Sequence, residues 1–360
     1  MRLPRENTKT VRIGNLDIGG GHPVAIQSMT STDTRDLRAT LLQIKKLEQA
    51  GCEIVRLAVP DREAAAALRD IRRKTDLPLV ADIHFDYRLA LAALEAGADK
   101  LRLNPGNIGN KDRIRQVVMA AKRRKVPIRI GVNAGSLEKD LLEKHGHPTA
   151  RAMVQSVMRH VKILEELDFT DLVISLKGSD VPMTIEAYRL ISGKVRYPLH
   201  LGITEAGTAF AGGIRSAVGI GTLLAEGIGD TIRVSLAGDP VNEIEVARMI
   251  LQSLKLRTFG PEVIACPTCG RTSIDVAKAA EAIESKVKYL NVPLKIAVMG
   301  CAVNGPGEAR EADLGLAGGR GQALIFRKGK IVGRVRAGQM VPAIMREIAK
   351  MHRNGKLNKR

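Results

Sequence analysis

The sequence predicts an α/β architecture, a (β/α)8 TIM barrel followed by a smaller α+β domain, and three features of its pattern lead there. From about Pro23 to Ala237, short β-branched runs ending in polar residues alternate with amphipathic helical stretches, joined by Gly, Pro or Asp turns. Eight such runs occur, the number that lets a parallel sheet close on itself. Near Thr258-Phe259-Gly260-Pro261 the alternation stops, and three of the four cysteines lie beyond it. Domains at 1–258 and 259–360 follow, and 360 residues with 44% hydrophobic content suffice for both.

The expected barrel strands are Val24 to Thr30, Glu53 to Val59, Leu79 to His84, Lys100 to Asn104, Ile128 to Asn133, Leu172 to Lys177, Leu199 to Thr204 and Thr231 to Leu236. Between them, stretches such as Met153 to Leu167 place Val154, Val157, Met158, Val161 and Leu164 on one helical face. A doubly wound open sheet is the alternative. It normally carries a glycine-rich first βα turn, whereas Gly19-Gly20-Gly21 precedes the first strand here. Beyond the boundary the pattern reads as a CxxC pair, a helix from Ser273 to Tyr289, a strand from Leu294 to Met299 and a hairpin from Ala323 to Val335 turning at Lys328-Gly329-Lys330. A helix from Val341 to His352 and a frayed basic tail complete it. Gly318-Gly319-Arg320-Gly321, just ahead of the hairpin, reads as turn glycine rather than a phosphate loop.

Lys and Arg number 57 against 38 Asp and Glu, a formal charge of +19 that favours acidic partners: nucleic acid, a phosphorylated ligand or an acidic protein. Aromatic content of 2%, no Trp and no standard nucleic-acid motif argue against nucleic acid. No stretch approaches the ~18 apolar residues of a membrane span, and Met1 to Asn15 holds no uninterrupted apolar segment, so no membrane partner is expected and the cytoplasm is the expected compartment.

Barrel enzymes build their sites from the C-terminal ends of the strands, so the polar residues there are the informative ones. Side chains two or four apart share a strand face. Asp82 and His84, Arg102 and Asn104, Arg129 and Asn133, Ser175 and Lys177, and Arg233 and Ser235 are such pairs. Their apolar neighbours, Leu101, Leu103, Ile130, Val132, Ile174, Leu176, Ile232 and Val234, then face the helices, and Arg56, Arg102, Arg129, Lys177 and Arg233 converge on the barrel axis. With only Asp82 and Glu205 as internal counterions, five cations call for an anionic ligand, and the excess of Arg suits bidentate phosphate contacts. Asp82, His84 and Glu205 are the candidate acid-base groups. His200 reads either as a site residue or as a satisfied core histidine, and Cys52 as a buried thiol at a strand start.

Cys266-Pro267-Thr268-Cys269 and Cys301 supply three thiolates, with Gly300-Cys301-Ala302-Val303-Asn304-Gly305-Pro306-Gly307-Glu308 around the third. CxxC alone fits zinc, a redox dithiol or an iron-sulfur cluster. Tight Pro and Gly turns favour a cluster, because backbone N–H groups can approach inorganic sulfide there. Zinc on three Cys and one acid stays open, as does a non-redox barrel with a structural zinc domain. No CxxxCxxC occurs, which disfavours a radical adenosylmethionine barrel.

Ile26-Gln27-Ser28-Met29-Thr30, Ala81-Asp82-Ile83-His84-Phe85, Arg102-Leu103-Asn104-Pro105-Gly106-Asn107, Gly202-Ile203-Thr204-Glu205-Ala206-Gly207, Cys266-Pro267-Thr268-Cys269-Gly270-Arg271 and Asn304-Gly305-Pro306-Gly307-Glu308 together carry a resemblance. Over nearly its whole length the chain resembles the 4-hydroxy-3-methylbut-2-en-1-yl diphosphate synthase family of isoprenoid biosynthesis, in its compact bacterial form. The resemblance implies a [4Fe-4S] cluster on Cys266, Cys269, Cys301 and Glu308, and the substrate 2-C-methyl-D-erythritol 2,4-cyclodiphosphate. It implies that Arg56, Arg102, Asn104, Arg129, Asn133, Lys177, Arg233 and Ser235 hold the diphosphate, that Glu205 delivers a proton, and that Asp82 and His84 shape the site. It further implies a head-to-tail homodimer and reduced flavodoxin or ferredoxin as electron donor.

Overall fold

An antiparallel hairpin, β1 (Val11–Ile13) and β2 (Leu16–Ile18), opens the chain, and the periodicity does not foresee it because each strand is three residues long. Gly19 after it has φ +74, and a Cβ there would lie 2.2 Å from the Lys9 carbonyl oxygen, so only glycine fits this turn. The computed structural model describes residues 5–104, 110–288, 290, 292–301, 309–319 and 321–353. By internal contact the chain divides into two units, Met1–Arg257 and Thr258–Arg360.

In the first unit strands and helices alternate: β3 (Ala25–Met29), α1 (Leu37–Ala50), β4 (Ile54–Ala58), α2 (Arg62–Arg72), β5 (Leu79–Asp82), α3 (Tyr87–Glu95), β6 (Lys100–Leu103), α4 (Lys111–Arg124) and β7 (Ile128–Asn133). There follow α5 (Lys139–His145), an insertion, then α6 (Ala150–Glu165), β8 (Leu172–Lys177), α7 (Val181–Ser192), β9 (His200–Leu201), α8 (Ala209–Ala225), β10 (Thr231–Ile232) and α9 (Pro240–Ser253). Helix starts are set by side chains that accept a first-turn amide: Asp36, Asp61, Asp86, Asn110, Thr149, Asp180 and Asp239. The parallel strands follow the ring order β8-β7-β6-β5-β4-β3-β10-β9. Strands β5, β6 and β8 are buried on both faces, as a sheet wrapped by helices requires. At their N-terminal ends Ala25, Ile54, Val80 and Val173 pack against Val11, Ile13 and Ile18 of the hairpin, which plugs that end of the barrel.

The seventh and eighth strands are shorter than the periodicity suggests. The last backbone bond between these two strands is Arg233 N to Leu201 O (2.9 Å), while on the other side Thr204 N donates to Gly178 O (3.1 Å), in register with the bridge of Ile174 to Leu199. Closure between β8 and β9 rests on the bridge of Ile174 to Leu199, on backbone bonds such as Ile174 N to Pro198 O (2.9 Å), and on side chains that strap it. Tyr188 from α7 donates its hydroxyl to His200 O (2.6 Å) and accepts from Leu176 N (3.1 Å). Buried Asp230 accepts from Leu199 N (2.7 Å) and from the Thr8 hydroxyl (2.9 Å), tying the seam to the N-terminal segment.

In the second unit β11 (Glu262–Ala265), α10 (Val276–Val287), β12 (Lys295–Met299), β13 (Leu314–Gly319), β14 (Gln322–Arg327), β15 (Lys330–Arg336) and α11 (Met340–Arg353) form a five-stranded sheet in the order β11-β12-β13-β14-β15. The first three strands are parallel and the last three antiparallel. Lys328 and Gly329 both have positive φ between the paired Arg327 and Lys330, the geometry of a two-residue hairpin turn. Gly318 and Gly319 correct the sequence reading: they belong to β13, and Gly321 (φ +70) serves the turn. A Cβ on Gly318 would lie 2.4 Å from Gly300 O, so this glycine lets the loop before Cys301 approach the sheet. Helices α10 and α11 cover one face through Ile283, Ile344, Ile296, Leu314 and Ile325. On the other face Ala297, Met299 and Phe326 pack with Cys266. Among the described residues no helix is long and apolar enough to cross a membrane.

Burial raises the Asp230 carboxyl from its ordinary 3.8 to about 6, against the lowering effect of its hydrogen bonds to Leu199 and Thr8. The folded state therefore takes up this proton first as pH falls, so the carboxylate's destabilising contribution is complete above about 6 and vanishes below about 4. Asn at this position keeps an oxygen for Leu199 N without the charge. The unfolding free energy of Asp230→Asn from urea titration should exceed that of the parent by about 1–3 kcal/mol at neutral pH, the gap closing as pH falls toward 4.

Candidate active site

Alternation along the strands turns Arg56, Asp82, Lys100, Arg102, Arg129, Ser175 and Lys177 into the barrel, and the parallel register sets Asp82 beside Arg102, Arg102 beside Arg129 and Asn133 beside Lys177. Asp82, 2% exposed, is the hub. Its carboxylate meets Arg56 at 3.6 Å, Arg102 at 3.3 Å and His84 Nε2 at 3.2 Å. Burial alone would raise its proton affinity, but Arg56, the His84 hydrogen bond and Arg102 outweigh that and hold it well below the usual carboxylate range. The His84 ring is about half exposed beside the exposed Phe85.

Glu205 is not the second internal counterion expected from the sequence. It is exposed, among the described residues it makes no ion pair, and it sits in the left-handed region at φ +53. The second counterion is Glu243 of α9, 3% exposed, which accepts from Arg233 Nε and Nη2 (both 3.3 Å), the Ser28 hydroxyl (2.8 Å) and Leu236 N (3.2 Å). Sequence reasoning missed it because it comes from a helix and not from a strand end. Lys100 was also missed, although it stands two residues before Arg102 on the same face. It is fully buried and donates to Gln27 Oε1 at 3.2 Å.

Arg129, 1% exposed, donates from Nη1 to Ser175 Oγ (2.9 Å), while its Nε and Nη2, like Arg102 Nε, are buried with no hydrogen-bond partner among the described residues. Burial first, then repulsion by Arg56 and Arg102, pushes its proton affinity well below the ordinary arginine value. Lys177 is lowered likewise by burial, then by Arg129 and Arg233. Arg56 is pushed down to about 10 by burial, then by Arg233 and Arg102, against the pull of Asp82. Asn104 is buried at the end of β6, while Asn133 and Ser235 are half-buried. His200 is fully buried, shares a hydrogen bond with Thr231 Oγ1 (2.8 Å), and is kept neutral by burial and by Lys177 and Arg129. Cys52 is a buried thiol raised to about 12 by burial. Two glycines make room for the cations: a Cβ on Gly131 would lie 2.8 Å from Arg102 Nε, and one on Gly202 2.8 Å from Lys177 Nζ.

Cys266 follows β11 and Cys301 follows β12, so two thiols stand at the same end of neighbouring parallel strands. Cys266 N donates to Val298 O (3.0 Å), and Gly300 N donates to Cys266 Sγ (3.1 Å). Cys269, on the exposed loop, is held by its amide bond to Thr272 Oγ1 (3.0 Å). None of the four cysteines is in a disulfide. Among the described residues no three Cys, His, Asp or Glu side chains gather closely enough to hold one metal ion. Glu308, and residues 302–307 with it, lies outside the described residues.

A family described as the GcpE TIM-barrel domain matches residues 8–248, and one described as the GcpE protein C-terminal domain matches residues 262–350. The chain belongs to the GcpE family. Relatives named 4-hydroxy-3-methylbut-2-en-1-yl diphosphate synthase (flavodoxin) include that of Caldanaerobacter subterraneus, 58% identical over 96% of this chain and 98% of its own. That of Geobacillus kaustophilus is 57% identical over 97% of this chain and 93% of its own. Among solved structures, the type I 3-dehydroquinate dehydratase of Clostridium difficile superposes with a TM-score of 0.51 at 16% identity over 69% of this chain and 98% of that one, a likeness of barrel fold alone.

In this GcpE-family barrel the cost of the buried charges is separable from their use. Arg129→Met removes a charge whose Nε and Nη2 have no partner among the described residues, so the unfolding free energy without ligand should hold or rise, by up to about 4 kcal/mol. Pyrophosphate should raise the melting temperature of the parent, as any ligand of the folded state does, and leave that of the variant unmoved.

Proposed function

We propose that this chain catalyses the reductive ring opening and dehydroxylation of 2-C-methyl-D-erythritol 2,4-cyclodiphosphate to (E)-4-hydroxy-3-methylbut-2-enyl diphosphate. The observation that carries this reading is the set of buried guanidinium and ammonium groups in the barrel mouth, which among the described residues meet two carboxylates and leave several N–H groups without partners. A cyclic diphosphate supplies the acceptors and the charge this arrangement lacks. Family membership and relatives whose names carry that synthase activity support the substrate.

Arg56, Arg102, Arg129, Lys177 and Arg233 hold the diphosphate, with Asn104, Asn133 and Ser235 at the rim. Asp82 stays ionised and fixes Arg56, Arg102 and His84 at set distances, while Glu243 does the same for Arg233. Glu205 is the proton carrier. Its exposure lets it exchange protons with water, and a left-handed φ on a non-glycine residue, here in the loop between β9 and α8, is the strain found at functional positions.

The thiols suit a [4Fe-4S] cluster on Cys266, Cys269, Cys301 and Glu308. In such a cluster each ligand takes a different iron, so the thiols need not converge on one point, and the amide of Gly300 directed at Cys266 Sγ is the kind of N–H···S bond that stabilises bound thiolate. When bound, the cluster supplies two electrons one at a time. Reduced flavodoxin, named in the relatives, is the proposed donor, with ferredoxin the alternative, and both are acidic partners for a chain of charge +19. A head-to-tail homodimer is the proposed assembly.

Protein purified without oxygen should hold about four iron and four acid-labile sulfide per chain and convert the cyclodiphosphate with reduced flavodoxin. Glu308→Ala should lose iron, and Glu205→Gln should keep it while turnover falls by about 100-fold or more. Stoichiometric zinc without iron would replace this reading with a non-redox barrel enzyme.

A further inference from the structure

Below the barrel mouth lies a cation that the reading above does not use. Lys100 is fully buried on β6, two residues before Arg102. Among the described residues its Nζ has one hydrogen-bond partner, the neutral amide oxygen of Gln27 on β3. The charged and titratable groups turned into the same barrel are Arg56 on β4, Arg129 on β7, Lys177 on β8, His200 on β9, Arg233 just after β10 and Arg102 on its own strand. Of the two carboxylates, Asp82 on β5 is engaged by Arg56, Arg102 and His84, and Glu243 by Arg233. Among the described residues none remains for Lys100.

A guanidinium starts from a much higher proton affinity than an ammonium, so of the two kinds of buried cation the lysine gives up its proton more readily. Burial, then repulsion from Arg129 and Arg56, drives Lys100 in that direction. A dianion in the mouth opposes the repulsion and restores the ammonium form.

We propose that Lys100 is a further binding residue of the anion site, neutral in the free protein and protonated from solvent as the diphosphate binds, so that anion binding and proton uptake form one linked equilibrium. This rests on the mouth being a diphosphate site. The balance is a single proton, taken from water or buffer onto the Lys100 nitrogen, with no other bond made or broken.

Sulfate is a suitable probe because it is a dianion that does not itself titrate near neutrality. Calorimetric titration of the anaerobically purified full chain with sulfate, at about pH 8 in buffers of different ionisation heat, should show uptake approaching one proton per anion bound, and affinity falling up to about 10-fold per pH unit as pH rises. Lys100→Met should bind sulfate without uptake and with an affinity flat in pH. Should that variant fail to fold, Lys100→Arg, charged throughout, should likewise bind without uptake. Sulfate binding by the parent without uptake, or uptake undiminished in these variants, overturns the proposal. Failure of the parent to bind sulfate or pyrophosphate at all overturns instead the diphosphate reading on which it rests.

Discussion

Cationic side chains from five different strands meet inside the barrel at Arg56, Arg102, Arg129, Lys177 and Arg233, and each gives up hydration worth several kcal/mol to be there. Much of the surrounding structure serves to make that repulsion tolerable. Asp82 and Glu243 divide the arginines between them, Ser175 takes one edge of Arg129, and Gly131 and Gly202 keep side-chain volume away from Arg102 and Lys177. TIM-barrel interiors are usually filled with branched apolar residues. Here that filling is confined to the N-terminal end, where Ile54, Val80 and Val173 meet the hairpin.

The choice of residue types follows from the same constraint. Arginines hold the positions where a carboxylate or hydroxyl can engage the planar fork, while the lysines stand where no carboxylate reaches. Carboxylates are placed where they orient a cation rather than cancel the field. Asp82 and Glu243 are nearly sealed from solvent, whereas Glu205 stays in contact with it. One residue class thus performs two tasks, set by depth in the barrel.

The barrel was legible in the sequence because each βα unit repeats a period that both propensity and burial enforce. The inward cations were legible because alternation by two is a property of strands. Lys100 obeys the same rule and could have been included. Glu243 could not, because the helical residue that reaches the mouth is selected by tertiary packing and by its contacts with Ser28 and Leu236. The truncation of β9 and β10 and the tight approach of Gly318 to Gly300 depend on contacts between segments far apart in sequence, for which local pattern holds no signal. Three-residue strands such as β1 are below the length at which periodicity can be counted.

The hairpin plug has a kinetic consequence. With Val11, Ile13 and Ile18 packed across the floor, the way into the interior among the described residues lies at the C-terminal ends of the strands. Whatever leaves must cross the ground that the next molecule needs to enter, and both carry the same anionic handle. On the activity proposed above, product that is slow to leave would compete with substrate at the same opening.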